Sequence, residues 1–318
     1  MSGGGKTRVF VAGASGALGR PLVRDLVAAG HAVTGMTRRE DAAAALRATG
    51  AEAVVCDVFD AEAVRAAVAA AEPEVVVHAL TALPREMNPR SDYLAATNRV
   101  RSEGTRNLVE AARAAGAARL LAESVAFFYD PDGGWVKDEG APLMVDPPGR
   151  LAAATAALKE LEAQVLGAAG IEGLVLRCGW FYGPGTYYAT GGSVAAATLA
   201  RRYPIVGAGT GTYSFVHVED AAAAFLAAVG RGAHGIYNVV DDEPARLSEW
   251  LPVYARELGA KPPRRVPGWL AGLLAGRDLA GVAQTVRGAS NAKARRELGW
   301  EPAHPSWRRG FAESLSPG

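Results

Sequence analysis

The sequence predicts an α/β protein: a doubly wound parallel sheet followed by a smaller C-terminal substrate lobe. Three observations predict it. Residues 9–30, VFVAGASGALGRPLVRDLVAAG, place a short apolar run before Gly13, Gly16 and Gly19, then apolar residues at helical spacing (Leu18, Leu22, Val23, Leu26, Val27) up to Gly30. Further apolar runs then alternate with helix-patterned segments, and continuous rather than alternating apolar strands signal a parallel sheet covered on both faces. After Arg177 the density of proline and aromatic residues rises, which marks a change of architecture.

Each element has its own signal. Residues 31–37 read as a second strand, and 41–48 as an Ala-rich helix closed at Gly50. Residues 53–56 form a third strand ending at Asp57, and 61–71 a helix stopped by Pro73. EVVVHA at 74–79 is a fourth strand; a loop with Pro84 and Pro89 leads into a long helix over 93–115, capped by Gly116, and 119–124 is the fifth. The Pro-, Gly- and Asp-rich segment 131–149 reads as a surface loop, 151–167 as a helix and 174–177 as a sixth strand. Beyond it come a helix at 194–202, a strand at 213–216, a helix at 220–229 and a strand at 235–240. From Glu249 onward short helices alternate with Pro-rich turns. The expected division is 1–177 for the nucleotide-binding domain and 178–318 for the lobe, with the strands near 213–216 and 235–240 returning to the sheet.

Composition narrows the partners. Over 318 residues the formal net charge is +1 with no basic stripe, which argues against nucleic acid or a membrane surface as partner. The apolar segment 269–283 is interrupted by Gly272, Gly276, Arg277 and Asp278, too broken to span a bilayer. Two isolated cysteines, Cys56 and Cys178, make no disulfide framework, so a soluble protein in a reduced cytoplasmic setting is expected. Five scattered histidines and no C-x-x-C spacing give no metal site. A monomer or a homodimer is compatible with the pattern.

Strand, glycine turn and helix in that order suit a dinucleotide pyrophosphate. Glycine lets the backbone approach the phosphates, and the helix N-terminus faces the negative charge. Gly13, Ser15, Gly16, Ala17, Leu18 and Gly19 are the expected phosphate contacts. Ligands of such sheets gather at the carboxyl ends of the strands, which singles out Arg38 and Arg39, Asp57 and Val58, Ala79, Leu80, Thr81 and Leu83, and Ser124 to Phe127.

GASGALG at 13–19, the Asp57-Val58 pair, EGTRNLVEAA at 103–112, VLRCGWFYGPG at 175–185, SFVHVEDAA at 214–222 and NAKARRELGW at 291–300 together resemble the short-chain dehydrogenase/reductase superfamily, in its extended or atypical branch related to nucleotide-sugar epimerases. The resemblance covers nearly the whole chain and implies a Rossmann fold and nicotinamide hydride transfer. It implies adenine contact at Asp57 and Val58. It also implies nicotinamide contacts at Ala79, Leu80 and Thr81, at Gly179, Trp180 and Phe181, and at Lys159. Charge selects the cofactor form. NAD binders place an acid after the second strand, whereas here Arg38 and Arg39 precede Glu40, and guanidinium groups grip a phosphate; NADPH/NADP is expected.

The pattern breaks at the catalytic groups. Reductases of this kind carry Tyr-x-x-x-Lys on the helix after the Pro-rich loop; here Lys159 stands four residues after Thr155, and the phenol is absent. An aliphatic hydroxyl is a far poorer proton donor than a phenol. Four residues before Tyr129, where the family serine is expected, stands Val125, with Ser124 one place off. Arg101 occupies the expected place of the helix asparagine, with Asn98 a turn earlier. Lys159, Ser124 and Thr155 are the catalytic candidates. The favoured reading is a ketoreductase acting on a polycyclic aromatic ketone, similar to the tyrosine-less ketoreductases of aromatic polyketide (angucyclinone) pathways, whose substrate phenol stabilises its own alkoxide while the enzyme orients it. Leu83, Val125, Phe127, Trp180, Tyr187, Tyr188 and Phe215 are the expected pocket wall. The alternatives are a non-enzymatic NADP(H)-binding sensor, or a nucleotide-sugar epimerase or dehydratase using Tyr182 or Tyr187 as a relocated acid.

Overall fold

The computed structural model describes residues 6–84 and 94–315. The first half is a βα alternation: β1 (Arg8–Ala12), α1 (Gly19–Ala28), β2 (Ala32–Thr37), α2 (Glu40–Arg47), β3 (Glu52–Val55), α3 (Ala61–Ala71) and β4 (Val75–His78). Then follow α4 (Ala95–Arg99), a π-helical turn (Val100–Gly104), α5 (Thr105–Ala114) and β5 (Arg119–Val125). The long helix expected over 93–115 therefore carries a π turn in its middle, and its start at Tyr93 lies outside the described residues. The segment expected as plain loop contains β6 (Val136–Lys137), and α6 (Arg150–Leu166) leads to β7 (Glu172–Cys178).

The remainder runs β8 (Trp180–Tyr182), α7 (Ser193–Leu199), β9 (Ile205–Val206), β10 (Thr212–Tyr213), β11 (Phe215–His217), α8 (Val218–Gly230), β12 (Gly235–Val239), β13 (Ala245–Arg246), α9 (Leu247–Glu257), β14 (Arg265–Val266), α10 (Gly268–Ala275), α11 (Arg277–Thr285), β15 (Gly288–Ala289), α12 (Ala292–Leu298) and α13 (Trp307–Leu315). Among the described residues the main sheet is all-parallel with order β12-β7-β5-β4-β1-β2-β3. The order reverses between β1 and β4, so the crevice for a ligand opens there, at the carboxyl edge.

Side-chain alternation sends Val9, Val11, Val75, Val77, Leu121, Leu174 and Leu176 to one face, under α1 and α8. Phe10, Ala12, Val76, Leu120, Ala122 and Val175 go to the other, under α3, α5 and α6. Each such Val, Leu or Phe side chain, fully buried, contributes roughly 1.5–3 kcal/mol, so the two layers hold the strand edge rigid.

The lobe differs from the expected division in one respect. Only β12 of the later strands joins the main sheet; the segment near 213–216 pairs elsewhere, β10 with β13 and β11 with β8. Its apolar residues are drawn into a separate aromatic core around Trp250, Phe215, Trp307 and Phe311, which outcompetes a sheet edge for them.

Candidate active site

Beside the reversal point lies the glycine loop. Gly13 has φ +92°, in the left-handed region, and a Cβ on it would stand 2.4 Å from the Ala79 carbonyl oxygen. A Cβ on Gly19 would stand 2.1 Å from the Gly13 oxygen. Loop, β4 end and helix start are therefore wedged together in a way only glycine permits. The α1 terminus is uncapped: no side chain bonds to it and its first turn holds no acid. The amides of Ala17 and Leu18 find no partner among the described residues, which leaves N–H groups for a diphosphate. Ser15 Oγ lies 2.9 Å from Thr37 Oγ1, tying the loop to the end of β2.

The two arginines expected to bind a 2′-phosphate are not equivalent. Arg39 is held by Asp41 through two bonds of 3.0 and 2.9 Å, whereas exposed Arg38 makes no ion pair or hydrogen bond among the described residues. Arg20, which sequence reasoning missed, sits in the first turn of α1 with its guanidinium 2.7 Å from where a Gly185 Cβ would be. A cation at a helix N-terminus opposes the dipole unless an anion is to be bound there, and that was the available signal. Asp57 is exposed and uses Oδ1 to accept from the Phe59 amide, while buried Val58 touches the space over Gly104. These residues fit a dinucleotide.

At the end of β4, buried His78 fixes the next turn. Thr105 Oγ1 donates to the Arg101 carbonyl and so accepts from His78 Nε2 at 2.9 Å, leaving Nδ1 to accept from the Leu80 amide at 3.2 Å. Both bonds require the neutral ring, and burial with the nearby Arg101 charge lowers its pKa to about 4. Ala79, Leu80 and Thr81 are held in this way along the crevice.

The three catalytic candidates do not converge. Ser124, fully buried, donates to Glu162 Oε1 at 2.7 Å, and Glu162 makes a two-point ion pair with Arg177 at 2.8 and 2.7 Å. Lys159 is exposed and donates to the Met144 carbonyl at 2.8 Å. Thr155 is sealed, its hydroxyl without a partner among the described residues. Four residues advance a helix by about 40° beyond a full turn, enough for a long lysine to follow the polar outlet while the short threonine stays inside. The neighbouring positions of α6 are apolar: Leu151, Ala154 and Leu158 form one buried cluster with Val125, and Phe127 and Val282 pack against it.

The expected substrate wall is also corrected in part. Phe127 and Trp180 stack face to face at 3.9 Å, both half-buried, and exposed Leu83 lies at the crevice mouth. Tyr188 and Phe215 instead belong to the sealed lobe core, because ring-on-ring packing with Trp250, Tyr254 and Phe311 claims them. Neither proposed relocated acid is free to act: the Tyr182 hydroxyl is sealed in that core, without a partner among the described residues, and Tyr187 donates to the Pro84 carbonyl. The amides of Gly179 and Trp180 are taken by the Val239 and Ser214 carbonyls, so neither N–H is available to a nicotinamide; Phe181 packs partly against the sheet core. Gly179 is glycine because a Cβ would meet the Ser214 oxygen at 2.5 Å. Among the described residues there is no cluster of metal-ligating side chains, and no helix long and apolar enough to cross a membrane. Both cysteines are free and buried.

Comparison with known proteins agrees with this fold. The model of the NAD dependent epimerase/dehydratase family matches residues 9–239. A 3-diazoavenalumate denitrifying reductase from Streptomyces sp is 51% identical over 96% of this chain and 99% of its own length. A 4-hydroxy-2-methyl-3-oxo-4-farnesyl-3,4-dihydroquinoline-1-oxide ketoreductase from Stigmatella aurantiaca is 29% identical over 80% of this chain and 74% of its own. Among solved structures, UDP-glucose 4-epimerase with UDP-glucose from Thermotoga maritima superposes with a TM-score of 0.75 at 20% identity, covering 96% of each chain.

Proposed function

The chain belongs to the NAD dependent epimerase/dehydratase family, and we propose that it is an NADPH-dependent reductase whose acceptor is an aromatic acid bearing a diazo group. The observation that carries the reading is the sealed Thr155, four residues before Lys159, on a helix whose Leu151, Ala154 and Leu158 cluster with Val125 and offer no phenol. Reduction of a ketone makes an alkoxide that must be protonated; loss of N2 from an aryl diazo group makes none. An acceptor of that second kind suits a site without a phenol, and the Streptomyces relative, similar over its whole length, is named for a diazo acceptor and for denitrification.

When bound, the reduced nicotinamide supplies a hydride. The residues of the crevice described above bind and orient. The open α1 terminus and Arg20 serve the diphosphate, Arg38 a 2′-phosphate, and neutral His78 holds the turn beside the reacting end. Phe127 and Trp180 offer a flat aromatic face to the acceptor. Thr155 and Lys159 are not needed as acids.

A second reading, an aryl ketone whose neighbouring phenol stabilises the alkoxide, is favoured by the ketoreductase relative. A panel separates the two: NADPH absorbance is followed with hydroxylated aryldiazonium carboxylates, aryl ketones with and without an adjacent phenol, and nucleotide sugars. The diazo compounds are expected to be consumed fastest. Turnover of phenol-bearing ketones alone would transfer the assignment to the second reading, and turnover of nucleotide sugars would sink both.

A further inference from the structure

Two charged side chains near the expected nicotinamide end have been given no role. Glu123 is the lone acid in an otherwise apolar stretch of β5. It pairs in register with Leu176 of β7 and stands one step beyond the His78–Ala122 pair, beside Ala79. Ala79 in turn abuts Gly13. With adjacent strands about 4.8 Å apart, Glu123 lies roughly 10 Å from the phosphate loop, along the same carboxyl edge. Its strand neighbours are 0–7% exposed, yet Glu123 is only half-buried. At the carboxyl edge of a covered sheet, where the crevice opens, that exposure leaves the carboxyl open to a ligand.

Arg101, from the π turn, is 7% exposed. The two charges act on each other, but they are not in contact, and neither side chain has a hydrogen bond or ion pair among the described residues. A buried guanidinium and a half-buried carboxyl without partners among the described residues are costly, and proteins retain such arrangements at sites that meet a ligand. A π turn that projects one of them supports the same conclusion.

We propose that Glu123, with Arg101 as its positioning charge, is the proton-transfer group of this active site. Burial pushes its carboxyl up to about 7 against the opposing pull of Arg101, so acid and carboxylate coexist near neutrality. The other titratable groups around it are uncharged there. Cys178, two residues beyond the Leu176 that pairs with Glu123, is pushed well up by burial and by Glu123, and His78 on β4 is neutral. The proposal rests on the diazo reading for its chemistry. Hydride on the terminal nitrogen of Ar–N2⁺ gives Ar–N=N–H. The Glu123 carboxylate takes the N–H proton as the C–N bond breaks. N2 leaves, the C–N pair stays on the ring carbon, and the carboxylic acid returns the proton to that carbon. The net change is Ar–N2⁺ plus hydride to Ar–H plus N2, with Glu123 restored.

The test begins with binding, independently of any acceptor. Oxidised nicotinamide carries a positive charge that the reduced ring lacks, so an ionised Glu123 beside it favours NADP⁺. From below to above neutrality the ratio of NADPH to NADP⁺ dissociation constants is expected to rise about tenfold, the equivalent of a one-unit pKa shift. Glu123→Gln should flatten that dependence and Glu123→Asp should keep it. A flat ratio in the unmodified protein overturns the placement. In turnover, Glu123→Gln is expected to lower kcat by about 100-fold or more with little change in KM for NADPH, and to remove the pH limb near neutrality. An undiminished kcat in that variant overturns the proton role. A pH-dependent ratio in a protein that consumes no diazo acceptor supports the placement of Glu123 and overturns only the diazo reading.

Discussion

The two ends of the crevice are built on opposite terms. At the phosphate end the backbone is the functional group: Gly13 and Gly19 are pinned by contacts of 2.4 and 2.1 Å that no side chain survives, and the α1 terminus stays uncapped. At the acceptor end the backbone path resembles that of solved structures, and individual side chains set the character of the site. Val125 clusters with Leu151, Ala154 and Leu158, Ser124 anchors Glu162 and Arg177, and Glu123 is half-buried at the carboxyl edge. A fold can thus keep its hydride source in place while its proton chemistry is rewritten, because the first is fixed by chain geometry and the second by individual side chains.

The comparison can be broken in several places, beginning with the largest effect. If Ser124 is an architectural residue, its anchor must be strong: Glu162→Gln, which leaves Arg177 as an unpaired buried cation, should cost about 3–5 kcal/mol in denaturant unfolding. A loss under about 1 kcal/mol would return Ser124 to the catalytic candidates. At the phosphate end, Gly13→Ala should weaken NADPH binding at least about 100-fold, or about 3 kcal/mol, measured by fluorescence titration.

Stability against pH sharpens the contrast between the two buried titratable groups. His78 is depressed to about 4, so the unfolded chain holds the extra proton between that pH and its ordinary value of 6.5, and stability rises with pH across this window. Glu123 is raised from 4.5 to about 7, so the folded chain holds the extra proton there, and stability falls as pH rises. Each contributes about 3 kcal/mol and they oppose one another, leaving the unmodified protein nearly flat over their shared range. Glu123→Gln should unmask the rise due to His78 and should be the more stable protein in mild base by up to about 3 kcal/mol. A variant no more stable there than its parent would contradict the buried position of Glu123. The smallest effect is at Arg38: replacing it with Ser should reduce the preference for NADPH over NADH by about tenfold, about 1.4 kcal/mol, while Arg39→Ser changes it little because Asp41 already holds that guanidinium.

Much of the phosphate end was legible from residues alone, since a glycine rhythm between an apolar strand and a helix has few other uses. The parallel sheet was legible for a similar reason: doubly covered strands are apolar throughout. The acceptor end was harder to read. Tyr188 and Phe215 looked like a pocket wall, but aromatic residues serve cores and pockets equally, and only packing decides. Thr155 and Lys159 had the right spacing but divergent environments, because spacing fixes direction only to within a fraction of a helical turn. Glu123 was visible as a carboxylate within an apolar run; its meaning depended on whether it met a cavity or a partner.

The measurement closest to the central claim counts products. Purified protein is given NADPH and an aryldiazonium carboxylate carrying isotopically labelled nitrogen, and the released gas is analysed by mass spectrometry. One labelled N2 per NADPH oxidised, with the arene recovered as its C–H form, is the predicted result. NADPH oxidation with both nitrogens retained in the product, or tight NADPH binding with no oxidation at all, would contradict it.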